Sequence, residues 1–366
     1  MTYYLNLTLK KNIIFFGYYL FALVFALLFF NSSAFASPNK FAGRPFTIVL
    51  LPDTQKYKDF SGTSRSHIFD SQTKWIANHL IDENIVLTLH VGDIVDVSVD
   101  FLWDDSLRSF SHLDRLIPMV LAVGNHDILE LVDADSSTYE ESYKLFNEYF
   151  PEDRFNKLPW FGGVFEKGKI ENAYFFFNFA NVEYLVLALE YGPRDRVLDW
   201  ANEIVKAFPK RKAIIVTHAY MAKGGKRLKA GVKLSPKIEE VPYGSKDYRY
   251  STKDDWANDG DVIWNQFVKK HKNIEFVFSG HSKGPGKLIS KGNHGNLIFQ
   301  LGANYQWEEN GGNGYLRLMK FYPQENKVTV KTYSPLLDHF RTDWENQFLI
   351  DLNKGKFLEL TSEDSH

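Results

Sequence analysis

Ile85-Val86-Leu87-Thr88-Leu89-His90-Val91-Gly92-Asp93-Ile94-Val95-Asp96 joins a short apolar run to a glycine and two carboxylates. Ile85 to Val91 is apolar and bounded, as a strand buried on both faces should be. The glycine lets the chain turn sharply there and brings backbone close to a small ligand. Two more stretches repeat the design. Upstream, Phe46 to Leu51 ends in Pro52-Asp53-Thr54-Gln55; downstream, Met119 to Val123 ends in Gly124-Asn125-His126-Asp127. Between them, Ser71 to Asp82 (with Trp75, Ile76 and Leu80) and Trp103 to Leu116 carry helical spacing.

The alternation continues downstream. Ala173 to Phe179 and Glu183 to Leu189 flank Ala180-Asn181-Val182 as a hairpin, Arg194 to Phe208 fits a helix, and Ala213 to Val216 is a strand ending at Thr217-His218. Asp261 to Lys270 fits a helix, and Ile274 to Phe278 a strand ending at Ser279-Gly280-His281-Ser282-Lys283. Only strand-like segments follow: Leu297 to Leu301, Tyr315 to Phe321 and Val328 to Tyr333. Strands alternating with helices early and strands alone late predict a layered α/β sandwich in one domain, residues 44–335, with 336–366 as a C-terminal extension. Residues 128–170 are aromatic and acidic without periodicity and read as an insertion covering a site. Residues 220–256 are basic, polar and glycine-containing and read as a long loop, a feature that is usually functional or mobile. There is no internal repeat.

The first residues have the order of an export signal. Lys10 and Lys11 precede an apolar run from Ile13 to Phe30, and Ala34-Phe35-Ala36 supplies a small-residue cleavage site. The expectation is a signal peptide, residues 1–36, on a periplasmic or secreted protein; an uncleaved membrane anchor is the alternative. The chain has no cysteine, which excludes disulfides, a thiolate metal site and a lipid-modified N-terminal Cys. Removing the two lysines of residues 1–36 takes the formal net charge from −2 to −4. That mildly acidic body argues against a dedicated nucleic-acid partner. Aromatic residues make up 16% of the chain, enough for a large buried interior.

Five polar clusters therefore follow five expected strands, at the ends where open α/β sheets gather ligands. Carboxylates, an amide oxygen and imidazoles suit Mn, Fe or Zn dications. Each cluster alone is an ordinary turn or strand end, since Gly, Asn and Asp favour turns; the series is specific.

The series Asp53-x-Gln55, Gly92-Asp93-x-x-Asp96, Gly124-Asn125-His126-Asp127, His218 and Gly280-His281 resembles the calcineurin-like metallophosphoesterase family, over roughly Phe46 to Tyr333. The resemblance implies a four-layer α/β sandwich of two mixed sheets flanked by helices, holding two metal ions. It implies that Asp93 bridges both metals, that Asp53 and Gln55 serve the first, and that Asn125, His218 and His281 serve the second. His126 matches the family's non-ligand histidine, which protonates the leaving alkoxide or helps bind phosphate. Asp96, with Asp127 as a further candidate, would hold its imidazole. Asp96 also stands where purple acid phosphatases carry a Tyr ligand, which excludes that branch.

Two departures fall on the first metal. Gln55 replaces the usual His, and Lys283 replaces the last His, offering no lone pair while protonated. One dication is expected to bind firmly, and the second weakly or not at all. Lys283 has three readings: it contacts substrate phosphate, it marks a degenerate site, or it points to solvent while another residue such as His294 completes the site. Arg194 and Tyr57 are candidate substrate contacts, with helix capping or ion pairing the competing role for Arg194. Asn304-Tyr305-Gln306-Trp307 either lines the pocket or packs, and Lys223 to Lys233 either attracts an anion or is a solvated loop. His90 is expected to be a satisfied core histidine; His67, His79, His112, His271 and His339 read as surface or packing residues. Two functions fit: a hydrolase of phosphomonoesters or phosphodiesters, or a sandwich without turnover that binds a phosphorylated ligand or partner.

Overall fold

The computed structural model describes residues 43–57, 65–128, 142–229 and 258–361. The expected export segment, residues 129–141 of the first insertion and residues 230–256 of the second lie outside these residues. In chain order the strands are β1 (Phe46–Leu51), β2 (Ile85–His90), β3 (Met119–Leu121), β4 (Phe161–Val164), β5 (Ala173–Phe179), β6 (Val182–Ala188), β7 (Lys212–Val216), β8 (Met221–Ala222) and β9 (Lys226–Arg227). There follow β10 (Ile274–Ser279), β11 (Gly286–Lys291), β12 (Leu297–Gly302), β13 (Leu316–Tyr322), β14 (Lys327–Ser334), β15 (His339–Arg341), β16 (Gln347–Asp351) and β17 (Lys356–Leu358). The α-helices are α1 (Ser66–Asn78), α2 (Asp100–Phe110), α3 (Lys144–Tyr149), α4 (Asp195–Ala207) and α5 (Gly260–Gln266). None of the described helices is long and apolar enough to cross a membrane.

Two mixed sheets result. The first has the order β17-β16-β14-β13-β1-β2-β3, with β15 beside β14; the second runs β11-β12-β10-β7-β6-β5-β4. Parallel pairing is confined to β1-β2-β3 in one sheet and β6-β7-β10-β12 in the other. Side chains alternate across a strand, and both faces of β1 are buried. Phe46 lies 6.0 Å from Tyr184, and Phe321 lies 5.5 Å from Phe276, so rings of the two sheets meet in the central core. The second sheet packs Leu185, Leu187, Ile215 and Val277 on its other face against Val197, Leu198, Ala201 and Val205 of α4 and Ile263 and Trp264 of α5. On the first sheet, Trp75 of α1 stands 5.2 Å from Tyr333. The order is helix, sheet, sheet, helix: the expected four-layer α/β sandwich.

Differences from the sequence reading have local causes. α1 begins five residues before the expected Ser71, because Ile68 and Phe69 extend its buried stripe, and ends before Ile81, which is 91% exposed. The β5–β6 hairpin turns on Ala180 and Asn181, both with positive φ (50° and 65°), the two-residue turn that suits strand twist. The aromatic residues of the first insertion serve packing: Phe146 and Phe150 lie 6.0 and 6.2 Å from Trp103 of α2. The strand β11 was not expected, being an edge strand with mixed polarity. Residues 336–361 are no appendage, since β15, β16 and β17 extend the first sheet, and Phe348 and Ile350 are fully buried. Phe348→Ala should cost about 3–5 kcal/mol in denaturant unfolding; a loss below about 1 kcal/mol would show that this end of the sheet contributes little.

Candidate metal centre

Each of the parallel strands except β6 is followed by a polar residue of one site. Asp93 follows β2 and sits in left-handed backbone (φ 54°), after Gly92 (φ 91°). The β3 loop presses on it so closely that a Cβ on Gly124 would stand 2.1 Å from Asp93 Oδ1 and 2.2 Å from its N, so glycine is required there. Asp127 clips the two loops together: its carboxylate accepts from Ile94 N (2.7 Å), Val95 N (3.1 Å) and Gly124 N (2.8 Å). Asp127 therefore braces backbone rather than holding the His126 imidazole. Burial and the Asp93 charge push its carboxyl up to about 7, against the Gly124 and Val95 donors and His218.

Asp93, Asn125, His218 and His281 converge. His218 Nε2 is 3.2 Å from Asp93 Oδ2 and 3.3 Å from His281 Nδ1, which is 2.9 Å from Asn125 Oδ1. Donors adjacent around a first-row dication, with bonds of about 2.1 Å, lie about 3.0–3.4 Å apart. His218 Nδ1 donates to Val91 O at 2.7 Å, which fixes the ring and leaves Nε2 to face Asp93. Burial alone would lower the His218 pKa, but the Asp93 carboxylate outweighs it and lifts it to about 9. Burial would likewise raise Asp93, yet His218, His126 and His281 hold it well below the usual carboxylate range. The pocket thus demands positive charge, and its donor set fits a dication.

His126 stands at the edge of this cluster with 37% of its side chain exposed. Its backbone N donates to Asp93 Oδ1 at 3.0 Å, and its Nδ1 donates to the Asp96 carbonyl at 2.6 Å. The Asp96 carboxylate is farther, at 3.7 Å, and its nearer partner is Lys56 Nζ at 2.6 Å. Asp96 positions His126, then, mainly through its backbone.

The first metal's position is different. Asp53 is buried against Asn304, Gln306 and the backbone of His281, all donating to its carboxylate. Burial raises its carboxyl well above the usual range. Gln55 donates through Nε2 to Gln306 Oε1, while its Oε1 is buried without a hydrogen-bond partner. Lys283 is exposed. His294 bonds the Lys270 carbonyl at 3.0 Å in the β11–β12 turn, at the other end of those strands, so it does not complete the site. Of the quartet 304–307, Asn304 and Gln306 enter the site, Tyr305 OH bonds Asn346 in the core at 2.9 Å, and Trp307 is 47% exposed.

Arg194 is not a substrate contact. Its side chain is 3% exposed and grips the fully buried Glu190 through Nε (2.8 Å) and Nη2 (3.2 Å), at the start of α4. Glu190 follows β6 and is in turn held by Asn172 Nδ2 at 2.7 Å; sequence reasoning missed it, as its stretch has no glycine-acid signature. Tyr57 is equally structural, its hydroxyl accepting from Gly314 N at 3.0 Å.

The sequence model of the family described as calcineurin-like phosphoesterase matches residues 46–285. "Uncharacterized protein YvnB" of Bacillus subtilis (strain 168) is 31% identical over 309 residues, which are 81% of this chain and 21% of that protein. The chain thus spans about a fifth of that curated relative. A purple acid phosphatase, PPD1 from yellow lupin (Lupinus luteus) seeds, has the same fold, with a TM-score of 0.51 at 12% identity over 86% of this chain and 55% of its own.

His90 is the satisfied core histidine expected. Gly92 N donates to its Nδ1 (3.1 Å), so Nε2 carries the proton and donates to Thr54 Oγ1 (3.1 Å). Burial, reinforced by His218, lowers its pKa to about 3. The unfolded chain, with His90 near 6.5, binds a proton that the folded chain refuses, so this contribution is complete above pH 6.5 and is lost on acidification. Between pH 6.5 and 5 the loss should be about 2 kcal/mol. Urea unfolding of the wild type and His90→Gln checks this; equally steep acid limbs in both proteins would refute it.

Proposed function

Since the chain belongs to the calcineurin-like phosphoesterase family, we propose that it is an exported, metal-dependent hydrolase of phosphomonoesters or phosphodiesters. The observation that carries this reading is the spacing of Asp93, Asn125, His218 and His281, whose donor atoms already stand as neighbours around one ion. A dication there supplies Lewis acidity and a water acidic enough to attack phosphorus near neutral pH. Mn, Fe or Zn suits two imidazoles, a carboxylate and an amide.

The chain's own groups do the rest. His126 has one ring nitrogen committed to the Asp96 carbonyl, so its exposed Nε2 can carry a proton to a leaving oxygen. Lys56, steered by its ion pair with Asp96, offers an ammonium group to a phosphate ester, and Lys283, exposed two residues after His281, is the candidate for a second. The burial of Asp93 and His218 keeps bulk water from screening their own charge at the centre.

The second reading, a sandwich that binds a phosphorylated ligand without turnover, draws on one observation: the N–H donors on Asp53. The two readings part at Asp93. Asp93→Asn should abolish nearly all hydrolysis of a nitrophenyl phosphate ester, and His126→Asn should lower kcat about 10²–10⁴-fold with metal content unchanged. A wild-type protein inactive on mono- and diesters with its metal in place would favour the binding module. Export rests on Lys10-Lys11, the apolar run and Ala34-Phe35-Ala36. N-terminal sequencing of protein from the periplasm or medium should start at Ser37; an intact residue 1 would count for an anchor.

A further inference from the structure

Asp53 accepts from three protein N–H groups, chiefly through Oδ2, where the family resemblance calls for a metal. Its Oδ2 accepts from Asn304 Nδ2 at 2.7 Å, His281 N at 3.1 Å and Gln306 Nε2 at 3.2 Å. Its Oδ1 accepts from the same His281 N at 3.3 Å and lies against Gly280, where an added Cβ would come within 2.1 Å. The amide orientations are fixed by their surroundings. Asn304 Oδ1 accepts from Gln306 N at 3.0 Å, while its Nδ2 also faces the His281 carbonyl at 3.0 Å. Turning that amide over would set oxygen against a carboxylate and a carbonyl. Gln306 is bound by the same logic: with Nε2 on Asp53, its Oε1 is left to accept from Gln55 Nε2.

We infer that a carboxamide clamp, Asn304 and Gln306, takes the first metal's place at Asp53, so that the chain binds one dication, at Asp93, Asn125, His218 and His281. The inference rests on the phosphoesterase reading and sharpens it to a one-metal centre. Counting donors leads to the same result. Apart from Asp53, whose carboxylate the amides hold, the first position retains the buried oxygen Gln55 Oε1 and a share of Asp93. Lys283 is exposed, and an ammonium offers no lone pair. Dications take roughly four to eight donors, so two do not make a site. The replacements are also concerted: Gln55 stands in one missing histidine's place, and Gln306, from the far end of the chain, hydrogen-bonds both Gln55 and Asp53. With Gln55 bonded to it, the clamp joins three carboxamides from two sheets, unlike a site that has merely lost a ligand.

The test is metal stoichiometry on the full chain, stripped of metal and titrated with Mn²⁺ alone by calorimetry and elemental analysis. One equivalent is expected, with the electron paramagnetic resonance spectrum of an isolated ion. Asp53→Asn should keep that stoichiometry and change Kd less than about tenfold, whereas His281→Ala should raise it by roughly a hundredfold or more. Two equivalents with an exchange-coupled spectrum overturn the clamp and leave the phosphoesterase reading standing; no binding overturns both. The wild-type measurement decides the matter even where Asp53→Asn fails to fold.

Discussion

A carboxylate at the end of β2 with 1% of its surface exposed is the constraint around which this protein is arranged. An isolated buried charge is expensive, and proteins keep one only where it is paired, hydrogen-bonded or bound to metal. Asp93 has all of these provided for. The His126 N–H donates to one oxygen, the His218 ring faces the other, and the Asp127 clip keeps the loop in its left-handed turn. In the absence of an ion, the His218 proton supplies the missing positive charge; binding an ion means exchanging that proton for a stronger cation.

The two sheets contribute unlike chemistry to this centre. The first sheet brings Asp53, Asp93, Asn125 and His126 from the ends of β1, β2 and β3; the second brings His218, His281, Asn304 and Gln306 from β7, β10 and β12. Protein bonds already cross between them, from His218 Nδ1 to the Val91 carbonyl and from His281 N to Asp53. An ion held by Asp93 and Asn125 on one side and two imidazoles on the other is a further cross-link, so metal binding and sheet docking reinforce each other.

The candidate ligands were legible because they are local. A strand followed by a polar cluster, usually behind a glycine though His218 follows Thr217, is a short pattern, and the structure brings Asp93, Asn125, His126, His218 and His281 together. What escaped was set by partners distant in sequence. Asn304 and Gln306 look like any polar residues beside aromatics, and only the proximity of Asp53, some 250 positions away, gives them a role. Arg194 reads equally well as a phosphate ligand and as half of an ion pair until Glu190 is seen gripping it. Asp127 follows His126 directly, yet its side chain turns back to three backbone N–H groups, a choice that adjacency in sequence conceals. Likewise β15 to β17 are too short and mixed to announce themselves; pairing with β14 makes them strands.

The change at the first metal position follows from what imidazoles and carboxamides can do. An imidazole with one nitrogen held offers a lone pair to a cation; a carboxamide offers a donor and an acceptor together and can chain to the next amide. Once Gln55 replaces histidine, the cheapest way to satisfy its N–H groups in a buried site is another amide oxygen, which Gln306 provides. Gln306 then has its own N–H groups to place, and the nearest strong acceptor is Asp53. The chain of amides thus ends on the carboxylate that a metal would have claimed. The amide in β1's loop is matched, through hydrogen-bond satisfaction, by a residue beyond β12, while the imidazole-rich half of the centre keeps its ligands.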